Sequence, residues 1–137
     1  MTSNPVKYKG IRYNLFSDEF DFSDVDYIVD CVDTVSAKIS IVSKAKELNI
    51  PIISAMGAGN KLDPTQLEVA DIYKTTMDPL SKVMRRELKK LGITKLKVVY
   101  SKESPKKLNN RTPNSGAIVP ASMGLLIANE VIKDIIK

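Results

Sequence analysis

Histidine is absent from this 137-residue chain, and cysteine occurs once, at Cys31. Without histidine, no Ser-His-Asp or Cys-His arrangement can be assembled within it. A single cysteine forms no internal disulfide. With no histidine or second thiol beside it, no thiolate or imidazole zinc cluster can be built, so zinc is set aside. No apolar run approaches the roughly 18–20 residues that cross a bilayer, and no membrane partner is expected. The amino terminus, Met1-Thr2-Ser3-Asn4-Pro5, lacks a basic and apolar leader, which makes a cytoplasmic location the default expectation. What remains is ordinary globular material, 43% hydrophobic and 27% charged, of a length that suits one compact domain with a core.

Within it, the most regular signal is a strand, a helix and a second strand. Tyr27 to Val32 is a short β-branched run ending on acids, and Ile50 to Ala55 is its echo before Gly57-Ala58-Gly59-Asn60. Such runs, bounded by polar or Gly-rich sequence, read as buried strands of a parallel sheet. Between them, Val35, Ile39, Val42 and Ala45 give Val35 to Leu48 one apolar helical face, and Asn49 with Pro51 stops it. Ligands of open parallel sheets sit beyond the carboxyl ends of the strands, so Asp33 and Gly57 to Asn60 are expected to share a rim.

Further along, Leu67 to Ile72 and Lys95 to Tyr100 read as strands whose directions the sequence leaves open. Asp78-Pro79 opens a helix with an N-cap acid and a first-turn proline. Leu80, Val83, Met84, Leu88 and Leu91 form its stripe, and Gly92 supplies a left-handed stop. A final helix runs from about Ala121 to Ile136, with Met123, Leu126, Ile127, Val131, Ile132 and Ile135 facing inward. Val6-Lys7-Tyr8 and Arg12 to Phe16 are possible strands about Gly10, and Ser104 to Ser115 reads as a polar loop. The fold class is therefore α/β, a partial Rossmann-like domain in which parallel strands with a crossover helix precede further strands and a carboxyl-terminal helix.

The net charge is +5, and its excess lies toward the carboxyl end. Arg85, Arg86, Lys89 and Lys102 are candidates for a polyanion surface, because clustered cations release counterions from a phosphate backbone. The competing reading is a solvated helix face. Asp33 is a candidate magnesium ligand or, with Thr34, simply a cap for the following helix. Gly57 and Gly59 would let backbone approach a phosphate, although the turn lacks both the dinucleotide Gly spacing and the P-loop Lys. Cys31, placed in mid-strand, reads as a buried hydrophobe rather than a nucleophile.

Asp30-Cys31-Val32-Asp33-Thr34, Met56-Gly57-Ala58-Gly59 and Leu62-Asp63-Pro64-Thr65 resemble, in this order, the second half of the ubiquitin-activating-enzyme-like, ThiF-type superfamily. Asp71-Ile72-Tyr73-Lys74-Thr75, Asp78-Pro79-Leu80, Tyr100-Ser101-Lys102-Glu103 and the helix entry at Val119 to Gly124 extend the resemblance to its tRNA threonylcarbamoyladenosine dehydratases. The resemblance implies Mg-ATP-dependent adenylation of a threonylcarbamoyl carboxylate on tRNA, followed by ring closure. It puts the family's strand-end metal-binding and catalytic acid on Asp33, with Thr34, Gly57 and Gly59 toward the nucleotide. It also implies tRNA as a partner and a homodimer. The family's Gly-x-Gly-x-x-Gly loop, ribose-binding acid and triphosphate-binding Arg and Lys precede the matched segment. Residues 1–137 are thus expected to be one partial adenylating domain without its nucleotide-binding half, inactive alone. Two other readings stand beside this one, a fragment of an activator of ubiquitin-like or sulfur-carrier proteins and a non-catalytic basic tRNA-binding or dimerisation module.

Overall fold

The computed structural model describes residues 21–104 and 116–137. The expected strands about Gly10 and most of the polar loop from Ser104 to Ser115 lie outside these residues. Four strands, β1 (Ile28–Asp30), β2 (Ile52–Ala55), β3 (Leu67–Asp71) and β4 (Lys97–Ser101), alternate with helices α1 (Val35–Glu47), α2 (Pro79–Lys90) and α3 (Ile118–Ile135). They form one sheet in the order β1-β2-β4-β3. β1, β2 and β4 run parallel, Asp30 opposite Ser54 and Ser54 opposite Val98, whereas β3 is antiparallel to β4 with Val69 opposite Val99.

Side-chain alternation divides the core into two layers. Ile52, Val98 and Tyr100 pack with Val42 and Ala45 of α1 and Met84 and Leu88 of α2. Ile53 and Val99 point the other way, onto Met123 and Ile127 of α3. The parallel strands therefore end at one rim. Because β3 is reversed, the loop leading into it, from Gly57 to Gln66, belongs to that rim too.

α2 starts and stops as its sequence dictates. The Asp78 carboxylate accepts from the Ser81 N–H at 2.9 Å, Pro79 occupies the first turn, and Gly92 takes φ +72°. Leu91 departs from the expected stripe, since it is the C-cap and is exposed. α3 begins three residues earlier than expected, at Ile118, because Pro120 falls in its first turn, where a missing N–H breaks no helical bond. Met123 and Ile127 are buried as expected, with Leu126 and Val131 packed against them, whereas Ile132 and Ile135 are exposed.

Cys31 also departs from expectation. β1 ends at Asp30, whose carboxylate accepts the Val32 N–H at 3.1 Å and turns the chain, so Cys31 lies beyond the strand and is exposed. Desolvation of its sulfur, and then the Asp30 carboxylate, push its thiol pKa up, which keeps it a weak nucleophile at neutral pH.

α3 is tied to the sheet by polar contacts at its end. Lys97 Nζ reaches Asp134 at 2.8 Å and Glu130 at 3.2 Å, and the Tyr27 hydroxyl donates to Asp134 at 2.7 Å. Hydrogen bonds from Lys97 and Tyr27 hold the Asp134 carboxyl below its ordinary range, and the bond to Asp134 raises Lys97. A depressed carboxyl contributes stability above its unfolded pKa, near 4, and loses it as pH falls through the folded value; a raised lysine loses its share as pH climbs beyond about 10.4. Asp134→Asn should therefore cost a few tenths to about 1 kcal/mol at pH 7 and nothing at pH 2. Urea unfolding at both values checks this, and an equal cost at both would remove the ion pair as the cause.

Candidate functional site

The rim is organised by two ion pairs that are almost fully buried. Lys38, from the first turns of α1, is 1% exposed and donates to Asp30 Oδ2 at 3.1 Å and to the carbonyl of Ala55 at 2.6 Å. A buried ammonium persists only with such partners. The contact joins the end of β1, the helix after it and the end of β2. Lys61 pairs with Asp78 at 2.9 Å, tying the Gly-rich turn to the start of α2. Ser54 Oγ, buried opposite Asp30 in the sheet, has no hydrogen-bond partner among the described residues.

Around these pairs the chain is fixed by carboxylates that accept backbone N–H groups. Glu103 takes those of Leu62 and Asp63 at 3.0 and 2.9 Å. Asp63 takes that of Thr65 at 2.9 Å, and Asp71 takes those of Tyr73 at 3.0 Å and Leu96 at 3.2 Å. The acids of the Asp-Pro-Thr, Asp-Ile-Tyr-Lys-Thr and Ser-Lys-Glu segments thus hold loops in shape.

Asp33 and Thr34 lie one and two residues beyond Val32 and are exposed. The Asp33 carboxylate has no hydrogen bond among the described residues. Thr34 is the N-cap of α1 by backbone geometry, but its side chain makes no capping bond. Neither side chain therefore caps α1, which removes that alternative for Asp33. The first turn of α1 presents uncapped N–H groups at the positive end of the helix dipole, where anions are favoured.

Gly57 and Gly59 differ. A Cβ on Gly57 would sit 3.3 Å from Asp78 Oδ1, so its missing side chain makes room for the Lys61–Asp78 pair. A Cβ on Gly59 would meet nothing within 4 Å, and the residue is open to a ligand. Two open clefts lie elsewhere. One, of about 620 Å³, is lined by Asp21, Phe22, Lys44, Leu48, Asn49 and Pro51 at the amino ends of β1 and β2; the other, of about 260 Å³, lies between Tyr73 and Gly92.

The four basic candidates do not form one group. Lys102 follows β4 on the rim, where its N–H donates to the Gln66 carbonyl at 2.9 Å. Arg85 is turned inward, bonding the Thr75 hydroxyl and, at 3.3 and 3.4 Å, the carbonyls of Thr75 and Ile72, so its guanidinium braces the chain before α2. Arg86 and Lys89 are exposed on α2, and Lys89 stands 5.9 Å over the Tyr73 ring. Lys46 has its pKa lowered by desolvation and then by nearby Lys95, which adds two cations to the face built by α1 and α2.

Sequence reasoning missed Lys38, Asp30, Lys61, Asp78's ion-pair role and Glu103. Lys38 carried a signal, since it falls in line with Val42 and Ala45 on the apolar side of α1. Lys61 carried none, because loop residues have no periodicity that marks burial.

A mainly parallel sheet, covered on both faces, that gathers an acid, an uncapped helix start and a glycine turn at the carboxyl ends of its strands belongs to the Rossmann-like α/β class. Within that class the chain belongs to the ThiF family, whose profile matches residues 10–137. It is 39% identical to tRNA threonylcarbamoyladenosine dehydratase of Bacillus subtilis, over 86% of this chain and 53% of that protein. It is 47% identical to tRNA threonylcarbamoyladenosine dehydratase 2 of Saccharomyces cerevisiae, over 58% and 18%. In structure it resembles the Escherichia coli dehydratase TcdA solved with AMP, with a TM-score of 0.75 and 28% identity over 81% of this chain and 48% of that one. The same enzyme has been solved with ATP, where the TM-score is 0.59 and the identity 26% over 77% and 49%. The chain spans about half the length of the Bacillus relative, and less of the yeast one.

Removing one partner of a buried pair leaves the other charge uncompensated. Lys38→Ala is expected to cost about 3–5 kcal/mol, whereas exposed, unbonded Asp33→Ala should change stability by no more than about 0.5 kcal/mol. Urea unfolding at pH 7 separates the two, and a near-neutral Lys38→Ala would mean that the pair does not hold the rim.

Proposed function

We propose that this chain is the carboxyl-side half of an ATP-dependent tRNA-modifying dehydratase, a partial adenylating domain that offers half of a nucleotide site. The observation that carries the reading is the rim, where an unbonded carboxylate, an uncapped helix start and an open glycine converge in a chain similar to named threonylcarbamoyladenosine dehydratases. These residues fit the group the family implies. Among the described residues no cluster of three metal-ligating side chains occurs, so the chain would supply a single carboxylate. That suits magnesium, which keeps several waters and takes phosphate oxygens for the rest of its shell.

Bound Mg-ATP would supply a leaving group, since AMP departs readily from an acyl carbon where hydroxide does not. This chain's residues do the positioning. Asp33 holds the cation at the end of β1, and the first turn of α1 with Thr34 and Gly59 faces phosphate. Lys38 keeps the Asp33 loop and the Gly57 turn in register. Arg86 and Lys89, with Lys46 and Lys95 on the same face, receive the tRNA backbone, and Lys102 approaches from the rim. Arg85 is left out of that role because its Nη1 is committed to Thr75 and Ile72, which turns the side chain inward.

The test uses the Bacillus subtilis relative, altered at the positions aligned with these residues. Replacing the residue aligned with Asp33 by Ala should abolish ATP-dependent dehydration and leave tRNA affinity within about threefold; undiminished turnover would remove Asp33 from the mechanism. In this chain, Arg86→Ala and Lys89→Ala should each weaken tRNA binding and flatten its log–log salt slope by about 1. A slope unmoved by either would return α2 to the role of a solvated face.

A further inference from the structure

Among the described residues, three other than glycine hold a positive φ: Asn49 at 56°, Asn60 at 60° and Met77 at 61°. Asparagine visits this left-handed conformation readily, because its short amide bonds to nearby backbone, whereas the apolar side chain of methionine gains nothing there. Such strain persists only where the surroundings over-determine it, and it gathers at ligand sites. Burial does not account for Met77. It is 61% exposed and belongs to neither layer of the core. Its neighbours place it at the rim. Met77 immediately precedes Asp78, which pairs with Lys61 at 2.9 Å, and Lys61 immediately precedes Leu62, which is 44% exposed and has its N–H held by Glu103 at 3.0 Å. One buried ion pair thus joins two segments that each present a large apolar side chain to solvent. The feature is not an anion site, since the Asp78 carboxylate already accepts the Ser81 N–H of the helix start.

We propose that Met77, with Leu62 across the Lys61–Asp78 pair, is the surface on which the purine base of the substrate nucleoside lies while its threonylcarbamoyl arm reaches the nucleotide site. This rests on the reading of the rim as half of that site, and it names what the rim receives besides ATP. In threonylcarbamoyladenosine, five covalent bonds separate the purine ring from the carboxyl carbon, a reach of roughly 6 Å. A carboxylate brought to the phosphate beside Asp33 and the first turn of α1 therefore leaves its base on the adjoining residues of the rim. A base lifted out of its stack needs an apolar or polarisable face in exchange. Asp33, Thr34 and Lys102 are polar, Lys38 and Lys61 are buried, and Gly57 and Gly59 have no side chain. The exposed large apolar side chains of the rim, among the described residues, are Val32, Leu62 and Met77, and Val32 is the least exposed at 36%. Met77 suits the task best, because its thioether is flexible, polarisable and favourable against an aromatic ring.

The experiment is NMR of the 137-residue chain, isotope-labelled at its methionine methyl groups and titrated with free threonylcarbamoyladenosine into the millimolar range. Met77→Leu removes one signal and so assigns it, and Met56, Met84 and Met123, each at most 4% exposed, are internal controls. The Met77 methyl should move upfield by more than its line width and saturate, through the ring current of a purine stacked against it, while the buried methyls stay in place. AMP at the same concentrations should move it less. Read from the nucleoside's own proton signals, affinity should fall at least about fivefold in Met77→Gly and stay within about threefold of native in Met77→Leu. Met77→Gly should also unfold at an equal or higher urea concentration than the native chain, because glycine relieves the left-handed backbone. A Met77 methyl that does not move would overturn the proposal. So would an AMP shift as large as the nucleoside's, which would give the surface to the base of ATP, or undiminished affinity in Met77→Gly. Earlier unfolding of Met77→Gly would make the side chain structural and overturn it as well. Neither Asp33 nor magnesium enters this titration, so a negative result leaves the rim's role in binding Mg-ATP standing.

Discussion

The buried contact of Lys38 with Asp30 and the Ala55 carbonyl is the constraint on which the rim depends. Exchanging such a pair for apolar residues is often neutral, whereas removing one member costs several kcal/mol. Its consequence is therefore positional more than stabilising. Asp30 uses one oxygen on Lys38 and the other on the Val32 N–H, so the same carboxylate that seats the lysine also bends the chain out of the strand. That bend brings Cys31 and Asp33 to the surface and starts α1 beside them. The Lys61–Asp78 pair repeats the device one strand away, and Gly57 lacks a side chain because that pair lies against it. Two buried cations among the described residues, both at the carboxyl ends of the strands, concentrate the rigidity where a ligand would be held.

Much of the architecture was legible because it follows from period and punctuation. The β1-α1-β2 crossover, the boundaries of α2 and the presence of the two later strands follow from β-branched runs, an apolar helical face and the Asp-Pro start with its Gly stop, whereas the place and direction of β3 in the sheet do not. What was not legible depended on partners distant in sequence. Cys31 looks buried in a strand of six residues; it is exposed just past a strand of three, because an acid's bond to the backbone ended the strand. Arg85 looks like any other cation of α2, and only the returning segment at Ile72 to Thr75 takes its guanidinium inward. A single helical stripe would place Ile132 and Ile135 in the core. α3 has two, and a sequence apolar on both sides does not say which one meets the sheet.

The motifs that carry the family resemblance acquire physical reasons. Asp63, Asp71, Asp78 and Glu103 each accept backbone N–H groups that would otherwise be unpaired in turns, and the segments containing them are those by which the chain resembles its relatives. Their shared role is to fix the loops on which the rim stands. Asp33, Thr34 and Gly59 are the exceptions, since no side-chain capping or packing contact among the described residues accounts for them, and the proposed nucleotide site gives them a role.

The central claim is that this rim is one half of a nucleotide site. Calorimetric titration of Mg-ATP into the 137-residue chain, beside the whole Bacillus subtilis relative, tests it most directly. The account predicts saturable binding by the whole relative, loss of that binding when the residue aligned with Asp33 becomes Ala, and no saturable binding by the short chain. Tight binding by the short chain would contradict the claim, for it would mean that Asp33, the start of α1 and the Gly57 to Asn60 turn form a complete site alone.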